Sequence, residues 1–336
     1  AGTASGDLVV AWTENSEVKL QKLLPNGATA WGAGVTLTPA TGSYSTADLH
    51  DAGNDAILSI VHQTGGFTSP RHLRAQKFEG TAGAPLWGVT PLPVFDGGSL
   101  QFGNFPAFTP DGAGGAVFSW YSSSPALQCF AQRVNAAGTE LYPHNGVAVA
   151  TTPGQIRVNP SAAYDAAGDD VYVFWTEQNG SQSLRGVSGQ RIDASGALQW
   201  GTSGSTLLPL GSGDVGLVRT VAAGPADGAL AFWSEAPSNA QDRLFGSVVE
   251  REGTVSKSRF DVASTPSGKS RLAVAKSAAA TGFAYCFGDG GTSPGCTDCP
   301  CGNNAPAGSG GGCLNSSSTS AVLNASGQPS LALDTL

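Results

Sequence analysis

Short apolar runs alternate with polar turns along most of the chain, and this pattern repeats about every 55 residues. One set of apolar runs, DLVVAW, GAVFSW, VYVFW and ALAFW, ends in tryptophan, at Trp12, Trp120, Trp175 and Trp233. A second set of aromatic residues follows turns that contain glycine, and it consists of Trp31, Trp87, Tyr142 and Trp200. Because all 7 tryptophans fall at one of these two phases, the repeat is the first feature to interpret, and we expect the aromatic residues of both phases to form the core of the repeat.

Each copy of the repeat predicts four short strands. The first is the apolar run, and the second is an alternating segment in which a glutamine precedes Lys or Arg, at Gln21, Gln76, Gln132 and Gln190. The third follows the second aromatic, as in GVTLTP and GVAVATT, and a weaker fourth leads through an Asp, Asn or Gly turn into the next copy. Period-two alternation with β-branched and aromatic residues favours strands, and no segment sustains a helical period.

These strands predict an all-β fold, a β-propeller of about five four-stranded blades over residues 1–285, because a radial array leaves only short, protected sheet edges. Six or seven blades would need residues outside this chain. His62 stands at the tryptophan phase of the second copy, and we interpret it as a core substitution rather than a ligand because Ile60 and Val61 are apolar. An extra first strand is predicted at 283–286, either completing a blade or packing beside the propeller. The repeats lie near residues 6–54, 55–113, 114–169, 170–227 and 228–281.

The composition narrows the class of protein. Only 12% of the residues are charged, methionine is absent and 47 residues are glycine, which favours a secreted bacterial protein. The formal net charge of −8, without a basic cluster, argues against nucleic-acid binding. No apolar run is long enough to span a membrane. The sequence begins with Ala1 and shows no signal peptide, so we expect a processed chain or an ordered fragment.

Cysteines concentrate near the C terminus, in a Cys- and Gly-rich segment at 286–313 that a strand-forming tail follows at 314–336. A zinc knuckle is conceivable because Cys296 and Cys299 form a CxxC pair, but a structural zinc usually takes two such pairs or a Cys/His set. Disulfides are the better interpretation in a secreted protein. If all six cysteines pair, Cys129 must join the tail. The six are Cys129, Cys286, Cys296, Cys299, Cys301 and Cys313.

Candidate chemistry is sparse. Glu14, Glu177 and Glu235 share one phase, with Ser122 in the third copy, and could bind a cation or act as an acid/base pair on a glycoside. Their symmetry argues against catalysis, because a catalytic pair needs two different environments, so solvated loops are the simpler interpretation and no catalytic residue is assigned. No cofactor is expected. Calcium is the less favoured alternative, at two turns whose candidate ligands are Asp51, Asp55, Asp165, Asp169 and Asp170.

The repeat DGAGGAVFSW…FAQRVNAAGTELYPHNGVAVAT resembles secreted bacterial proteins that repeat such a unit in a propeller, and the match extends from residue 6 to about 285. The segment CFGDGG…CPCGNN…GGGC…SLALDTL resembles a Cys-rich module of secreted planctomycete and related bacterial proteins, which usually has four cysteines. This resemblance implies disulfides between Cys286 and Cys299 and between Cys301 and Cys313, which leaves Cys129 with Cys296 as a third pair. Neither family implies an activity.

Two classes of function remain. The main prediction is a secreted, non-enzymatic structural or adhesive module, a subunit of a surface assembly or filament that joins other copies or other extracellular proteins through its C-terminal tail, since strands without a core seek a sheet edge. The alternative is a glycan-binding propeller or a propeller glycosidase. Neither class involves nucleic acid or a membrane span.

Overall fold

The computed structural model describes residues 1–3, 5–224, 228–236, 241–270 and 272–274. These residues belong to one compact unit, Ala1–Val274, and the other unit, Ala275–Leu336, lies outside them. The predicted extra strand at 283–286, the Cys- and Gly-rich segment and the C-terminal tail therefore all lie outside the described residues. The predicted domain boundary at 285 stays a prediction.

The fold is an all-β propeller built from antiparallel sheets, as the repeat predicts. Sheet 1 contains β1 (Leu8–Glu14), β2 (Glu17–Leu23) and β3 (Val35–Leu37). Sheet 2 contains β4 (Ser43–Ala52), β5 (Asp55–Gln63), β6 (Arg71–Phe78) and β7 (Leu92–Phe95). Sheet 3 contains β8 (Ser99–Leu100), β9 (Phe108–Pro110), β10 (Ala116–Ser124), β11 (Gln128–Val134) and β12 (Val147–Ala148).

The last two sheets have four strands each. Sheet 4 contains β13 (Gln155–Asp165), β14 (Asp170–Asn179), β15 (Arg185–Ile192) and β16 (Ser205–Gly211). Sheet 5 contains β17 (Asp214–Gly224), β18 (Gly228–Ala236), β19 (Arg243–Val249) and β20 (Val255–Ala263). Within each sheet the strands pair in chain order, and in sheet 3 both short strands, β8 and β9, pair with β10.

The weak fourth strand of each repeat belongs to the following sheet. The tight turn after Ala52 returns the chain antiparallel at Asp55, so β4 pairs with β5 rather than with β3. The same arrangement joins β13 to β14 and β17 to β18. Each sheet therefore begins one strand earlier than the repeat does in the sequence, and the first sheet has three strands within the described part of the chain.

The first-phase tryptophans point towards the preceding sheet. Trp120 packs with residues of sheet 2, Trp175 with residues of sheet 3 and Trp233 with residues of sheet 4, and all three are fully buried. Trp12 occupies the same position of sheet 1 but is 40% exposed, as are its neighbours Val10 (38%) and Leu8 (45%). The prediction that Trp12 is a core residue is wrong because, among the described residues, no sheet precedes the first one.

The strand register moves His62 to another phase. Gln76 pairs with Leu58, as Gln132 pairs with Phe118 and Gln190 with Val173. The tryptophans lie two residues after the partner of the glutamine, and in sheet 2 that position is Ile60. His62 instead corresponds to Glu14, Ser122, Glu177 and Glu235. The predicted equivalence with tryptophan is therefore wrong, although His62 is buried.

The glutamine of the second strand fixes the turn that carries the second aromatic. The Oε1 atom of Gln190 accepts from the backbone N–H of Arg191 at 3.1 Å and of Trp200 at 2.7 Å, and its Nε2 donates to Gly201 O at 2.7 Å. Gln21, Gln76 and Gln132 make the corresponding bonds. The second aromatics, including Tyr142, are buried as a result.

Cys129 lies on β11, fully buried between sheets 3 and 4, and its thiol is free. Burial raises its pKa well above the usual value. The predicted third disulfide, between Cys129 and Cys296, is therefore not formed, because the thiol of Cys129 is free and packed in the core. The other five cysteines lie outside the described residues, and their disulfides stay predictions.

Candidate functional site

A polar cleft opens where the strands of sheet 4 end, on the side of the sheet that faces sheet 3. Its volume is about 490 Å³. Hydroxyl and amide groups share its lining with one carboxylate and with an apolar stretch of β16, and the lining residues include Gln155, Glu177, Ser188, Thr206, Leu208 and Pro209. Thr152, which precedes sheet 4, also lines the cleft.

Strand register places the polar side chains of this cleft in neighbouring rows. Arg157 on β13 lies directly opposite Glu177 on β14. Two residues before Glu177 on β14, Trp175 lies opposite Ser188 on β15, and Ser188 lies opposite Thr206 on β16. Because residues opposite one another share a face, the carboxylate, the guanidinium and the hydroxyls converge at one end of the sheet.

Arg157 holds the carboxylate of Glu177 from inside. The side chain of Arg157 is 1% exposed, and its Nε lies 3.3 Å from Glu177 Oε1, an ion-pair distance without hydrogen-bond geometry. The remaining nitrogens donate to Gln128 Oε1 at 2.8 Å and to the carbonyl and hydroxyl oxygens of Thr152 at 3.0 Å. Ser188 Oγ donates to Glu177 Oε2 at 2.5 Å. Glu177 is therefore fixed in position at the cleft wall.

The carboxylates that share this phase have different surroundings. Glu14 accepts from Trp12 Nε1 at 3.1 Å and pairs with Lys19, and Glu235 accepts from Trp233 Nε1 at 2.8 Å and pairs with Arg259. Glu177 turns to Arg157 instead, so the buried Nε1 of Trp175 has no hydrogen-bond partner among the described residues. The symmetry assumed from the sequence is therefore absent, because each copy supplies its own cation.

The other two positions of this phase hold a serine and a histidine instead of a glutamate. Ser122 Oγ donates to Ala126 O at 2.8 Å, and His62 lies between Thr41 O at 2.9 Å and Arg74 Nε at 3.1 Å. Each of the five residues thus bonds within its own neighbourhood. The structure does not bring Glu14, Glu177 and Glu235 together into one acidic site.

Three of the five aspartates predicted as calcium ligands bind cationic side chains of the protein. Asp169 accepts from Arg133 of sheet 3 at 2.6 Å, and Asp170 accepts from Arg191 at 3.0 Å and from Arg251 of sheet 5 at 2.8 Å. Asp55 pairs with Lys77 at 3.3 Å. Asp165 caps its own turn through the N–H of Ala167, and Asp51 lies on β4. The part of the chain that the structure describes contains no group of three or more His, Cys, Asp or Glu side chains arranged to hold a metal ion.

The cleft holds an acceptor that the fold itself leaves unused. The buried Oε1 of Gln155, a lining residue, has no hydrogen-bond partner within the described residues. Such atoms cost free energy unless they bond to water or to a ligand. Glu177 is the single carboxylate among the lining residues, whereas hydrolysis of a glycosidic bond ordinarily uses two. This arrangement can bind a polyhydroxylated ligand.

Sequence reasoning missed most of this site. It singled out Glu177 by phase but not Arg157, Gln155 or Ser188, which occupy different phases of the repeat. The departure of Arg157 from its counterparts was the available signal, because the residues that pair with the same phase in sheets 2, 3 and 5 are uncharged, namely Tyr44, Leu100 and Val215.

The chain matches no protein-family model and no curated protein. Among solved structures it is similar to the GH93 α-L-arabinofuranosidase of Fusarium graminearum in complex with arabinobiose, with 10% identity, a TM-score of 0.46 and 80% of each chain covered. A PL25 ulvan lyase matches with 15% identity and a TM-score of 0.47, over 76% of this chain and 64% of that one. The α-L-arabinanase of Cellvibrio cellulosa matches with 11% identity and a TM-score of 0.34, over 75% of this chain and 94% of that one.

These matches contradict the main functional prediction. The three solved structures described above are named as enzymes that process glycans, so the prediction of a non-enzymatic structural or adhesive subunit, joined in a filament through its tail, is wrong. The alternative, a glycan-binding propeller or a propeller glycosidase, agrees better with them. Within the described residues, no helix is long and apolar enough to cross a bilayer.

Proposed function

We propose that this protein binds glycans outside the cell, in the cleft at the end of sheet 4. The observation that carries the proposal is the row of fixed polar groups, from the buried Arg157 through Glu177 to Ser188, beside the apolar surface of Leu208 and Pro209. A sugar ring presents hydroxyls around its edge and C–H groups on its faces. The cleft offers partners to both kinds of surface.

Preorganisation strengthens this assignment. Glu177 is held by an ion pair and by a hydroxyl, so a ligand does not have to order the carboxylate when it binds. A carboxylate only accepts hydrogen bonds, and sugar hydroxyls are donors that suit it. The low fraction of charged residues supports an extracellular location, where polysaccharides are abundant.

The number of carboxylates favours recognition over hydrolysis at this cleft. A retaining glycosidase holds two carboxyl groups about 5 Å apart and an inverting one holds them about 6.5 to 9.5 Å apart. The described lining of the cleft supplies Glu177 alone. Because Arg157 and Ser188 hold this carboxylate as an acceptor, it is suited to binding a hydroxyl.

The test is binding of soluble neutral polysaccharides, arabinan and xylan, by isothermal titration calorimetry. We expect Glu177→Gln to weaken binding about tenfold, which corresponds to a charge-assisted hydrogen bond of roughly 1.4 kcal/mol. Glu14→Gln is the matched control, because it changes the same phase of sheet 1, far along the chain from the cleft, and it should bind as the unmodified protein does.

Two results would count against the proposal. Equal affinities of the Glu177→Gln variant and the unmodified protein would show that the cleft is not the binding site. Release of reducing ends from either polymer, lost in Glu177→Gln, would show that the protein cleaves glycans instead of only binding them.

A further inference from the structure

A second surface with unusual exposure lies where sheets 2 and 3 meet. Phe67, in the turn between β5 and β6, is 72% exposed, and Phe102, between β8 and β9, is 60% exposed. Their ring centroids are 5.1 Å apart. Two large apolar side chains in contact with each other and with water are uncommon on a soluble surface unless the surface has a partner.

An arginine completes this surface, which we call the aromatic platform: Phe67, Phe102 and Arg71. The guanidinium carbon of Arg71 lies 4.5 Å from the ring centroid of Phe102 and 5.8 Å from that of Phe67. Its Nη2 donates to Phe67 O at 3.0 Å. The cation is therefore held beside both rings, with its other N–H groups unpaired among the described residues.

The backbone beneath the platform is fixed from both sheets. The N–H of Arg71 donates to Ser99 Oγ of sheet 3 at 3.1 Å. The turn that carries Phe67 is closed by bonds from Thr64 N to Pro70 O at 3.0 Å and from Ser69 N to Gly66 O at 2.9 Å. The exposed rings are thus presented by an ordered turn, which reduces the entropy lost on binding.

The corresponding arginine of sheet 4 shows what is special about Arg71. Arg185 is the first residue of β15, as Arg71 is of β6. The charge of Arg185 is compensated by Asp214 at 2.8 Å. Within the described part of the chain no carboxylate lies within ion-pair distance of Arg71, so its positive charge is available to a ligand. A guanidinium recognises planar carboxylates and sulfate esters through paired N–H donors.

We propose that the aromatic platform binds acidic sugars of a polysaccharide, with the sugar face on the phenylalanine rings and the carboxylate or sulfate ester on Arg71. The C–H groups of a sugar face are slightly positive and suit the negative face of an aromatic ring. The protein carries a net charge of −8, which repels a polyanion at long range. Selectivity must therefore come from direct contact with Arg71. The inference rests on the proposed function in one respect, namely that the ligand is a glycan.

The experiment compares polygalacturonate, which carries carboxylates, and a sulfated galactan with neutral arabinan, each titrated against the full chain. We expect Arg71→Gln to weaken binding of at least one acidic polymer about tenfold and to leave arabinan binding unchanged. Phe102→Ala should weaken the same acidic polymer. Arg185→Gln is the matched control and should bind both kinds of polymer normally, and the melting temperature of each variant shows whether it is folded.

The outcomes separate this inference from the proposed function. Absence of binding to both acidic polymers, or equal losses in Arg71→Gln and Arg185→Gln, would overturn the platform as a specific site. If Glu177→Gln leaves arabinan binding unchanged while Arg71→Gln still weakens binding of an acidic polymer, the cleft assignment fails and the platform stands.

Discussion

At the residue scale, equivalent aromatic residues differ in what covers them. Trp120 is fully buried between sheets 2 and 3, whereas Trp12 is 40% exposed at the same position of sheet 1. Truncation of a buried aromatic removes its transfer free energy and leaves a cavity. The free energy lost when one of these tryptophans is truncated therefore depends on whether a preceding sheet covers it, and not on its phase in the repeat.

We expect Trp120→Ala to lower the free energy of unfolding by about 3 to 5 kcal/mol, measured by urea denaturation. Trp12→Ala should cost clearly less, because much of its side chain already contacts water. Similar losses in the two variants would mean that sheet 1 is covered as completely as sheet 3.

Two histidines, His62 and His144, should make the stability of the protein depend on pH in opposite directions. Burial lowers the pKa of His62 below its usual 6.5, and the neighbouring Arg74 adds to this shift, while the bond to Thr41 O opposes it. A lowered pKa in the folded state means that the unfolded state takes up the proton first. The stability that the neutral His62 contributes is therefore present above pH 6.5 and is lost as the pH falls through the lowered value.

His144 behaves in the opposite way. Burial acts to lower its pKa, but the carboxylates of Glu140 and Asp96 outweigh it and raise the pKa above 6.5. Its contribution is present below pH 6.5 and is lost as the pH rises through the raised value. Melting curves between pH 5 and 8 should show that His144→Gln loses most stability, relative to the unmodified protein, at the acidic end. His62→Gln should lose least stability there. Parallel pH profiles of both variants and the unmodified protein would refute this assignment.

At the scale of elements, buried charges connect one sheet to the next. Lys22 of sheet 1 donates to Gly80 O of sheet 2, Lys77 of sheet 2 donates to Gly114 O of sheet 3, and Arg133 of sheet 3 binds Asp169 of sheet 4. The second aromatics follow the same path, since Trp200 Nε1 of sheet 4 donates to Arg251 O of sheet 5 at 2.9 Å. The Gln-Lys and Gln-Arg motif thus serves both its own turn and the neighbouring sheet.

Asp170 is the most deeply buried of these charges. It is 1% exposed and accepts from both Arg191 and Arg251. Asp170→Asn leaves the largely buried Arg191 without its counterion, so we expect a loss of about 3 to 5 kcal/mol in the free energy of unfolding. Asp214→Asn is the control, because its carboxylate is solvent-exposed in the pair with Arg185, and exposed pairs contribute little. Equal losses in the two variants would exclude a special role of burial.

The boundaries of the sheets show a limit of repeat analysis. A repeat can be cut at any phase without changing its period, so the sequence does not say which neighbour the fourth strand joins. The hairpin between Ala52 and Asp55 decides this, because two strands joined by a tight turn pair with each other. The same register shows that Ile60, and not His62, is the counterpart of the tryptophans.

At the scale of the whole described unit, five sheets pack in chain order through successive apolar layers. Residues of sheets 1 and 2 share one layer, and the same holds for each following pair up to sheets 4 and 5. The polar cleft lies at the end of sheet 4, and the aromatic platform lies where the turn before β6 meets the segment after β8. The low charge and the tail that the sequence predicts to form strands did not distinguish an assembly subunit from a ligand-binding propeller, because both need the same fold.

The sequence alone determined the properties that depend on local period: the all-β class, four strands per copy, the turn positions and the buried second aromatics. Alternation and turn chemistry act over a few residues, so they are legible without coordinates. Only the tertiary structure decided which Glu has a buried arginine behind it, which tryptophan lacks a covering sheet and which arginine keeps its charge. These properties depend on residues from different strands and sheets, such as Arg157 opposite Glu177 and Arg71 against Phe102. The register and packing that bring them together cannot be inferred from the sequence of either segment alone.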